Sequence, residues 1–346
     1  MSSPPRSCTT CPPGRSYRTD EEDTLDQQQN AVAVVGEALI DLVPRDLEGH
    51  YEAVPGGSPA NVAVGLARLE VPARMIARIG HDPFGRRIRR HLAGNGVDLA
   101  AVVTAAEPTS LAIVAVDTDG AVAYDFRVDG TADWQWRDEE LGGALDGQVL
   151  AVHAGSLAMT MAPGADALLR LLERARGGMT ISYDPNCRPL LMGSPAVARA
   201  RIEQVVALAD VVKASAEDIA WLLPGRAADE VAEAWLALGP ALVAITAGAD
   251  GVVAVARGTG TVRRPARPVV VVDTVGAGDA FTSALLAGLD RRDLLGRDRR
   301  AALAAIDKAQ LVEVLDEAVL AAAITCTRRG ADPPRLAELL GDRPVG

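Results

Sequence analysis

Lysine is nearly absent from this chain. Lys213 and Lys308 are the only two among 346 residues, while arginine is abundant. No glycine–lysine pair occurs, which excludes the glycine-rich P-loop whose lysine reaches nucleotide phosphates; any phosphate must be held by other means. Aromatic residues make up 3%, so alanine, valine and leucine have to fill the interior. The four cysteines, Cys8, Cys11, Cys187 and Cys326, are too few and too scattered for a disulfide framework, and a reducing cytoplasm is the expected compartment. Cys8 and Cys11 form a C-x-x-C without the second ligand pair that a zinc site needs. Basic charge is in deficit: 35 basic against 46 acidic side chains leave a net charge of −11. Nucleic acid and anionic membrane both demand a basic footprint, so neither is an expected partner. No uncharged apolar run reaches the roughly 18 residues that a membrane-spanning helix needs. Residues 1–30 lack the apolar stretch of a secretory signal. G-x-S-x-G and H-E-x-x-H are missing too. His50, His81, His91 and His153 show no metal-ligand spacing, and His153, after an apolar run, reads as a hydrogen-bonded core histidine.

A composition of 49% hydrophobic and 23% charged residues suits a globular core. Residues 1–30 are Pro-, Ser-, Thr-, Gln- and acid-rich and are expected to form a disordered tail, followed by one domain over 31–346. Short apolar runs read as buried strands: Ala31–Val35, Arg74–Ile79, Val149–Val152, Met179–Tyr183, Ala209–Val212, Ala241–Ile245 and Val269–Val272. Helical patterns lie among them: Pro59–Leu69, Phe84–Gly94, Pro163–Arg176, Ala196–Leu208 and Asp229–Leu238, with a mostly helical last third ending in Leu311–Cys326. This alternation predicts an α/β fold, a mostly parallel sheet flanked by helices on both faces. Two stretches break it. Leu111–Val116 and Ala121–Val128 read as a hairpin turning at Asp119-Gly120, and Leu39–Val43 with His50–Val54 as another. Such extra strands predict a small β lid, about 37–55 and 109–130, that covers a ligand.

In an open α/β sheet, ligands sit beyond the carboxyl ends of the strands. Here those ends carry Gly36-Glu37, Asp184-Pro185-Asn186, Lys213-Ala214-Ser215, Thr246-Ala247-Gly248 and Asp273-Thr274. Any single turn of this kind is ordinary capping; together they predict one crevice. The sharpest segment is Asp273-Thr274-Val275-Gly276-Ala277-Gly278-Asp279-Ala280-Phe281, running into the helical pattern Ala280–Leu289. Its glycines let the backbone bend. The helix start offers unpaired N–H donors and about +0.5 of a charge, an anion cradle that needs no lysine. Asp279, in the first turn, is either a helix-dipole charge or a group with a task beside an anion. Taking a proton from an attacking hydroxyl is such a task.

The second segment is Gly56-Gly57-Ser58-Pro59-Ala60-Asn61. Ser58 reads as an N-cap and Pro59 as the first helical residue. Asn61 carries amide groups suited to sugar hydroxyls, Gly56 and Gly57 allow backbone approach, and Asp41 can pair with two adjacent hydroxyls. Alone, these are a helix cap and a surface aspartate. Gly80-His81-Asp82-Pro83-Phe84-Gly85 reads as a turn starting the next helix.

Taken together, these residues resemble the ribokinase-like (PfkB-type) carbohydrate kinase family over nearly all of 31–335. The two signatures are Gly56–Gly85 and Asp273–Phe281. The resemblance implies transfer of the ATP γ-phosphoryl group to a sugar hydroxyl, with Asp279 as the base and Gly276, Ala277 and Gly278 as the anion hole. It implies that Asp41, Gly56, Gly57 and Asn61 hold the sugar. Thr246 and Gly248, with Gly251 beyond them, match the family's Thr-x-Gly nucleotide turn. Ser215 to Asp218 occupies the place of the family's Asn-x-x-Glu motif, which organises Mg²⁺ and phosphate; the motif is not intact, leaving Glu217 or Asp218 to supply the acid. Asp273 and the Val275 carbonyl, with backbone near Arg329-Gly330-Ala331, are similar to a monovalent-cation (K⁺) site. Lys213 is placed to contact nucleotide or phosphate, or is merely a solvated strand end. Lids of this family pair between subunits, so a homodimer through the lid is a further implication.

Within the family, Gly36–Asp41, the Ser-Pro-Ala-Asn form of the sugar motif and Gly130-Thr131-Ala132-Asp133-Trp134 are fructokinase-like. Asp184-Pro185-Asn186-x-Arg188 fits too, and also occurs in 2-keto-3-deoxygluconate kinases. Arg188 can meet a carboxylate or phosphate, or is an ion-paired surface arginine. Tyr124, Phe126 and Arg127 on the lid hairpin are candidates to tune the choice of sugar. Another sugar or nucleoside kinase of the family is the nearest alternative, and a non-catalytic binder that kept the fold is a different one. A dinucleotide oxidoreductase would need G-x-G-x-x-G after the first strand, which Gly36-Glu37-Ala38 does not supply.

Overall fold

The computed structural model describes residues 1, 30–46, 49–116 and 122–341. The expected tail, its Cys8 and Cys11, and the turn at Asp119-Gly120 lie outside the described residues.

The first strand, β1 (Ala31–Val35), shows how the interior is built. All five of its residues are buried. Val32 and Val34 face one apolar cluster while Ala33 and Val35 face another, as the two-residue period of a strand covered on both faces requires. The remaining strands are β2 (Leu39–Pro44), β3 (Tyr51–Gly56), β4 (Ala73–Ile76), β5 (Arg78–Gly80), β6 (Val103–Ala105), β7 (Leu111–Val116), β8 (Val122–Arg127), β9 (Val149–Gly155), β10 (Thr180–Asp184), β11 (Val211–Ser215), β12 (Leu242–Thr246), β13 (Val252–Ala256) and β14 (Gly260–Arg264). Eight of them form the central sheet in the order β14-β13-β12-β11-β10-β9-β1-β4. It is parallel from β4 to β12 and ends in the antiparallel pairs β12–β13 and β13–β14.

The lid is a four-stranded sheet, β3-β2-β7-β8. Two antiparallel hairpins meet along one parallel seam, β2 against β7. Arg74–Ile79, expected as one strand, is two: β4 stays with β1, and β5 turns away to pair with β6.

The larger correction concerns Val269–Val272, which forms no strand and lies outside the sheet. All four valines are exposed, and Val269 and Val271 line a cleft. The hairpin of β13 and β14 already occupies that end of the sheet, and Pro265 and Pro268 lack N–H donors, so this run covers a crevice instead of joining a ladder.

Candidate functional site

Two helices start side by side at the carboxyl ends of the strands, Ser58–Arg68 and Ala277–Asp290. They approach closely because Gly65 has no side chain; a Cβ there would lie 2.3 Å from Ser283 Oγ. That packing brings residues 58 and 61 against residue 279. Ser58 Oγ donates to Asp279 Oδ1 at 2.6 Å, and Asn61 Nδ2 donates to Oδ2 at 2.8 Å. Asp279 is buried. Ser58 is therefore not the N-cap its sequence context predicts. Gly57, at φ 99°, takes that position, and Ser58 makes no side-chain cap bond, which leaves its hydroxyl for the carboxylate.

Gly276 caps the second helix in the left-handed region at φ 78°. A Cβ on it would lie 2.6 Å from Ala331 Cβ, so both conformation and space require glycine. Of the three amides expected as an anion hole, that of Ala277 closes a turn onto the Thr274 carbonyl at 3.2 Å. Among the described residues the Gly276 and Gly278 amides have no protein acceptor. The amides left to meet an anion are thus those two, at the positive end of a 14-residue helix.

Beside it opens a cleft of 750 Å³. Its walls include Lys213, Ser215, Glu217, Thr246, Gly248, Gly251 and Gly278, the residues expected on the nucleotide side, together with Asn186, Val269, Val271 and Cys326. A second hollow, of 360 Å³, lies at the opposite ends of β1 and β4 around Arg74. That arginine is already paired with Asp98 and Asp146.

Lys213 is buried, not solvated. Its Nζ is 3.0 Å from Asp184 Oδ2, and a Cβ on Gly278 would lie 2.9 Å from the same nitrogen. Burial opposes the charge on Lys213, but Asp184, Asp218 and Asp279 outweigh it and hold its pKa above the usual range. Burial pushes Asp184 up to about 6, against the pull of Lys213. Sequence places Asp184 among the strand ends that line the crevice, but its pairing with Lys213 has no local signal.

Asp218 and Glu217 part company here. Asp218 accepts from the Ser215 amide at 2.8 Å and the Cys187 amide at 2.7 Å, while Ser215 Oγ accepts from the Asp218 amide. Both of its oxygens thus hold backbone, as a capping box. Glu217 stands in the cleft wall.

On the lid side, burial raises Asp41 to about 6; Arg188 opposes the shift and Asp279 adds to it. A Cβ on Gly56 would sit 2.0 Å from Asp41 Oδ2. Arg188 is braced by the Asn186 side chain at 2.8 Å and by the Asn186 and Cys187 carbonyls. Tyr124 stacks on Phe126 with ring centroids 5.8 Å apart. Burial, with the charge of Asp41, raises its phenol pKa, and Arg188 opposes. Asp41 thus lies within electrostatic reach of Arg188, Asp279 and Tyr124. Behind the glycine loop, Asp273 accepts from the Val275 amide at 3.0 Å and the Gly330 amide at 2.8 Å, tying the two loops together. His153 is a core residue, bonded to Ser182 Oγ at 3.0 Å and held neutral by burial and Lys213 at a pKa of about 3.

The chain matches the model of the pfkB family carbohydrate kinases over residues 29–337. It is 40% identical to a fructokinase of Klebsiella pneumoniae over 262 residues, covering 74% of this chain and 83% of that one. It is 35% identical to fructokinase-1 of Zea mays over 323 residues, covering 89% and 96%. The crystal structure of Xylella fastidiosa fructokinase with bound ATP superposes with a TM-score of 0.83 at 31% identity, covering 90% of this chain and 98% of that one. Vibrio cholerae fructokinase with fructose, ADP and calcium superposes with a TM-score of 0.77 at 29% identity, covering 91% and 99%. A sheet of this order, a β lid over its carboxyl ends and a glycine-kinked helix start beside a buried aspartate thus coincide with a match over nearly the whole chain, which belongs to the pfkB family and is a carbohydrate kinase.

Proposed function

We propose that this kinase transfers the γ-phosphoryl group of ATP to a hydroxyl of fructose. The observation that carries the reading is the position of Asp279. It stands in the first turn of the helix whose Gly276 and Gly278 amides have no protein acceptor among the described residues, next to the Gly278 that lines the nucleotide cleft and within electrostatic reach of Asp41 on the lid. Phosphoryl transfer has a loose transition state, so the protein's work is positioning and charge stabilisation. ATP lies in the cleft along Thr246, Gly248 and Gly251 with its terminal phosphate toward Lys213 and the two amides. Asp41, Asn61, Gly57 and Arg188 hold the sugar, and Tyr124 closes over it. Asp279, oriented by Ser58 and Asn61, accepts the proton of the attacking hydroxyl as its oxygen bonds to phosphorus and the bond to ADP breaks. The lid excludes water, which keeps ATP from hydrolysis.

A nucleotide-bound Mg²⁺ is held through one or two carboxylates plus phosphate oxygens. The cleft fits this: Glu217 is available in its wall, whereas both oxygens of Asp218 are occupied by backbone. The ion would neutralise phosphate charge. The loops joined by Asp273 fit a K⁺ held by the Val275 carbonyl and backbone near Gly330. Both outer lid strands, β3 and β8, are open edges, which supports pairing of two lids in a dimer. No helix among the described residues is long and apolar enough to cross a membrane, and the cytoplasm is the proposed location.

The test is ADP release from Mg-ATP across a panel of sugars including 2-keto-3-deoxygluconate. Fructose-dependent release above every other sugar is expected. Turnover with another sugar and none with fructose would overturn the substrate, and release independent of any sugar would overturn the kinase reading.

A further inference from the structure

The chain crosses between core and lid four times, at residues 36–38, 56–58, 109–110 and 128–131. Three of these crossings meet at one buried carboxylate. Asp133 is 1% exposed and sits in the short turn Ala132–Trp134. Its Oδ1 accepts from the Ala38 amide at 2.8 Å, one residue before β2. Its Oδ2 accepts from Ser110 Oγ at 2.5 Å, one residue before β7. Ser110 Oγ in turn lies 2.6 Å from Thr131 Oγ1, on the segment leaving β8. The fourth crossing is pinned to the same place, because Gly57 packs so closely on the Glu37 carbonyl that a Cβ would lie 2.6 Å from it.

Lid architecture explains why such a clamp is needed. Within each hairpin the paired strands follow one another in the chain, which limits slippage. The parallel seam β2–β7 joins strands that are not consecutive, and it is short: Ile40, Asp41 and Leu42 face Leu111, Ala112 and Ile113. Asp133 holds the residue before each of these two strands with one oxygen apiece, and the Ile40 amide adds a bond to the Ser110 carbonyl at 3.1 Å. On the core side the turn is fixed. Trp134 is buried and its carbonyl accepts from the Gly164 amide at 2.8 Å, and the Ala132 carbonyl accepts from Arg78 Nε at 3.1 Å. Asp41 lies three residues beyond Ala38, and Tyr124 is on the hairpin that starts just after Ser110.

We infer that Asp133 is a positioning residue for the sugar: it sets the register of the lid's parallel seam and thereby the placement of Asp41 and Tyr124 over the substrate pocket. This rests on the proposed fructose kinase activity for its kinetic readout, but not for its structural one. The full-length chain is compared with Asp133→Ala, Asp133→Asn and Ser110→Ala. Two measurements are made: KM for fructose and for ATP, and amide hydrogen exchange of β2 and β7 against β9 without substrate. Bonds to a buried carboxylate are strong, so Asp133→Ala is expected to raise the fructose KM about tenfold or more while the ATP KM stays within about twofold. It is expected to speed exchange in Leu39–Pro44 and Leu111–Val116 with Val149–Gly155 still protected. Asn keeps an acceptor for Ala38 and a polar partner for Ser110, so Asp133→Asn is expected to recover most of both effects. Ser110→Ala, which removes one link, is expected to give the same pattern at smaller amplitude and decides the matter if Asp133→Ala does not fold. Equal rises in both KM values, or exchange rising equally in β9, would overturn the inference. Should the unaltered protein fail to phosphorylate fructose, the proposed function falls, and the exchange contrast alone decides the clamp.

Discussion

Ser58 Oγ and Asp279 Oδ1, separated by 221 positions in the chain, are joined by a 2.6 Å hydrogen bond. With Asn61 on the other oxygen, the carboxylate is held by two donors from the neighbouring helix start. A base so held needs no reorientation when the hydroxyl arrives, and pre-organisation of this kind lowers the barrier rather than the KM. Ser58→Ala is expected to lower kcat about tenfold, the value of one charge-assisted hydrogen bond, with the KM for either substrate changed less than about twofold. Asp279→Asn removes the proton acceptor itself and is expected to cost on the order of 10³-fold or more in kcat. Steady-state kinetics on both variants check this, and near-normal turnover of the Asn variant would remove Asp279 from the mechanism.

Asp41 supplies a pH dependence. Burial places its carboxyl at about 6, with Asp279 adding to the rise and Arg188 opposing it. Below that value Asp41 is neutral and has lost the charge that strengthens its bonds to sugar hydroxyls. The kcat/KM for fructose is therefore expected to climb as pH rises through 6 and then level. Asp41→Asn is fixed in the neutral state. Its deficit is expected to be about 100-fold at pH 8 and to shrink as pH falls toward 5. A deficit of constant size across pH would contradict the assignment.

Much of this architecture can be read from local pattern, and what cannot has a common cause. Runs such as Ala31–Val35 and Leu242–Thr246 show continuous burial because helices cover both faces of the sheet. The valines at 269–272 carry the same pattern without the burial: all four are exposed, and Val269 and Val271 line a cleft. An apolar run does not by itself say whether its side chains are buried in a sheet or border an open cleft. The same holds at the site. Gly276–Asp279 announces itself because a positive-φ glycine and a helix start are local features. Ser58 reads as a cap because Ser-Pro is cap grammar, and its true partner is far along the chain. The pairing of Asp184, the contacts of Asp133 and the buried state of Lys213 depend wholly on tertiary neighbours.

Glu37 gives a stability test with a definite sign. It is 2% exposed, and burial raises its carboxyl from 4.5 to about 7; the Ser156 bond opposes the rise and Asp133 adds to it. Between those values the folded chain keeps a proton that the unfolded chain releases. The contribution to stability is present in full below about 4.5 and is lost as pH rises through 7. Glu37→Gln stays neutral throughout. Relative to the unaltered chain it is expected to gain stability from pH 5 to pH 8, by on the order of 3 kcal/mol. Urea unfolding at the two pH values measures this, and an equal difference at both would refute it.

Lys213 and Asp184 form a buried pair 3.0 Å apart, with Thr282 Oγ1 3.5 Å from the same carboxylate oxygen. Removing one member of such a pair strands the other charge in the interior, which costs about 3–5 kcal/mol, whereas replacing both by neutral groups is often tolerated. Lys213→Met and Asp184→Asn are each expected to lower the midpoint of unfolding substantially. In Lys213→Met the stranded group is Asp184, whose raised pKa lets it take a proton, so that loss is expected to lessen toward pH 5. The double variant is expected to recover most of the stability. It is not expected to recover activity, because Lys213 Nζ is a cation placed against Gly278, in the wall of the cleft where the terminal phosphate would lie. Activity returning with stability in the double variant would reduce the pair to a structural strut, and stability failing to return would show that the cavity around it, rather than its charge, sets the cost.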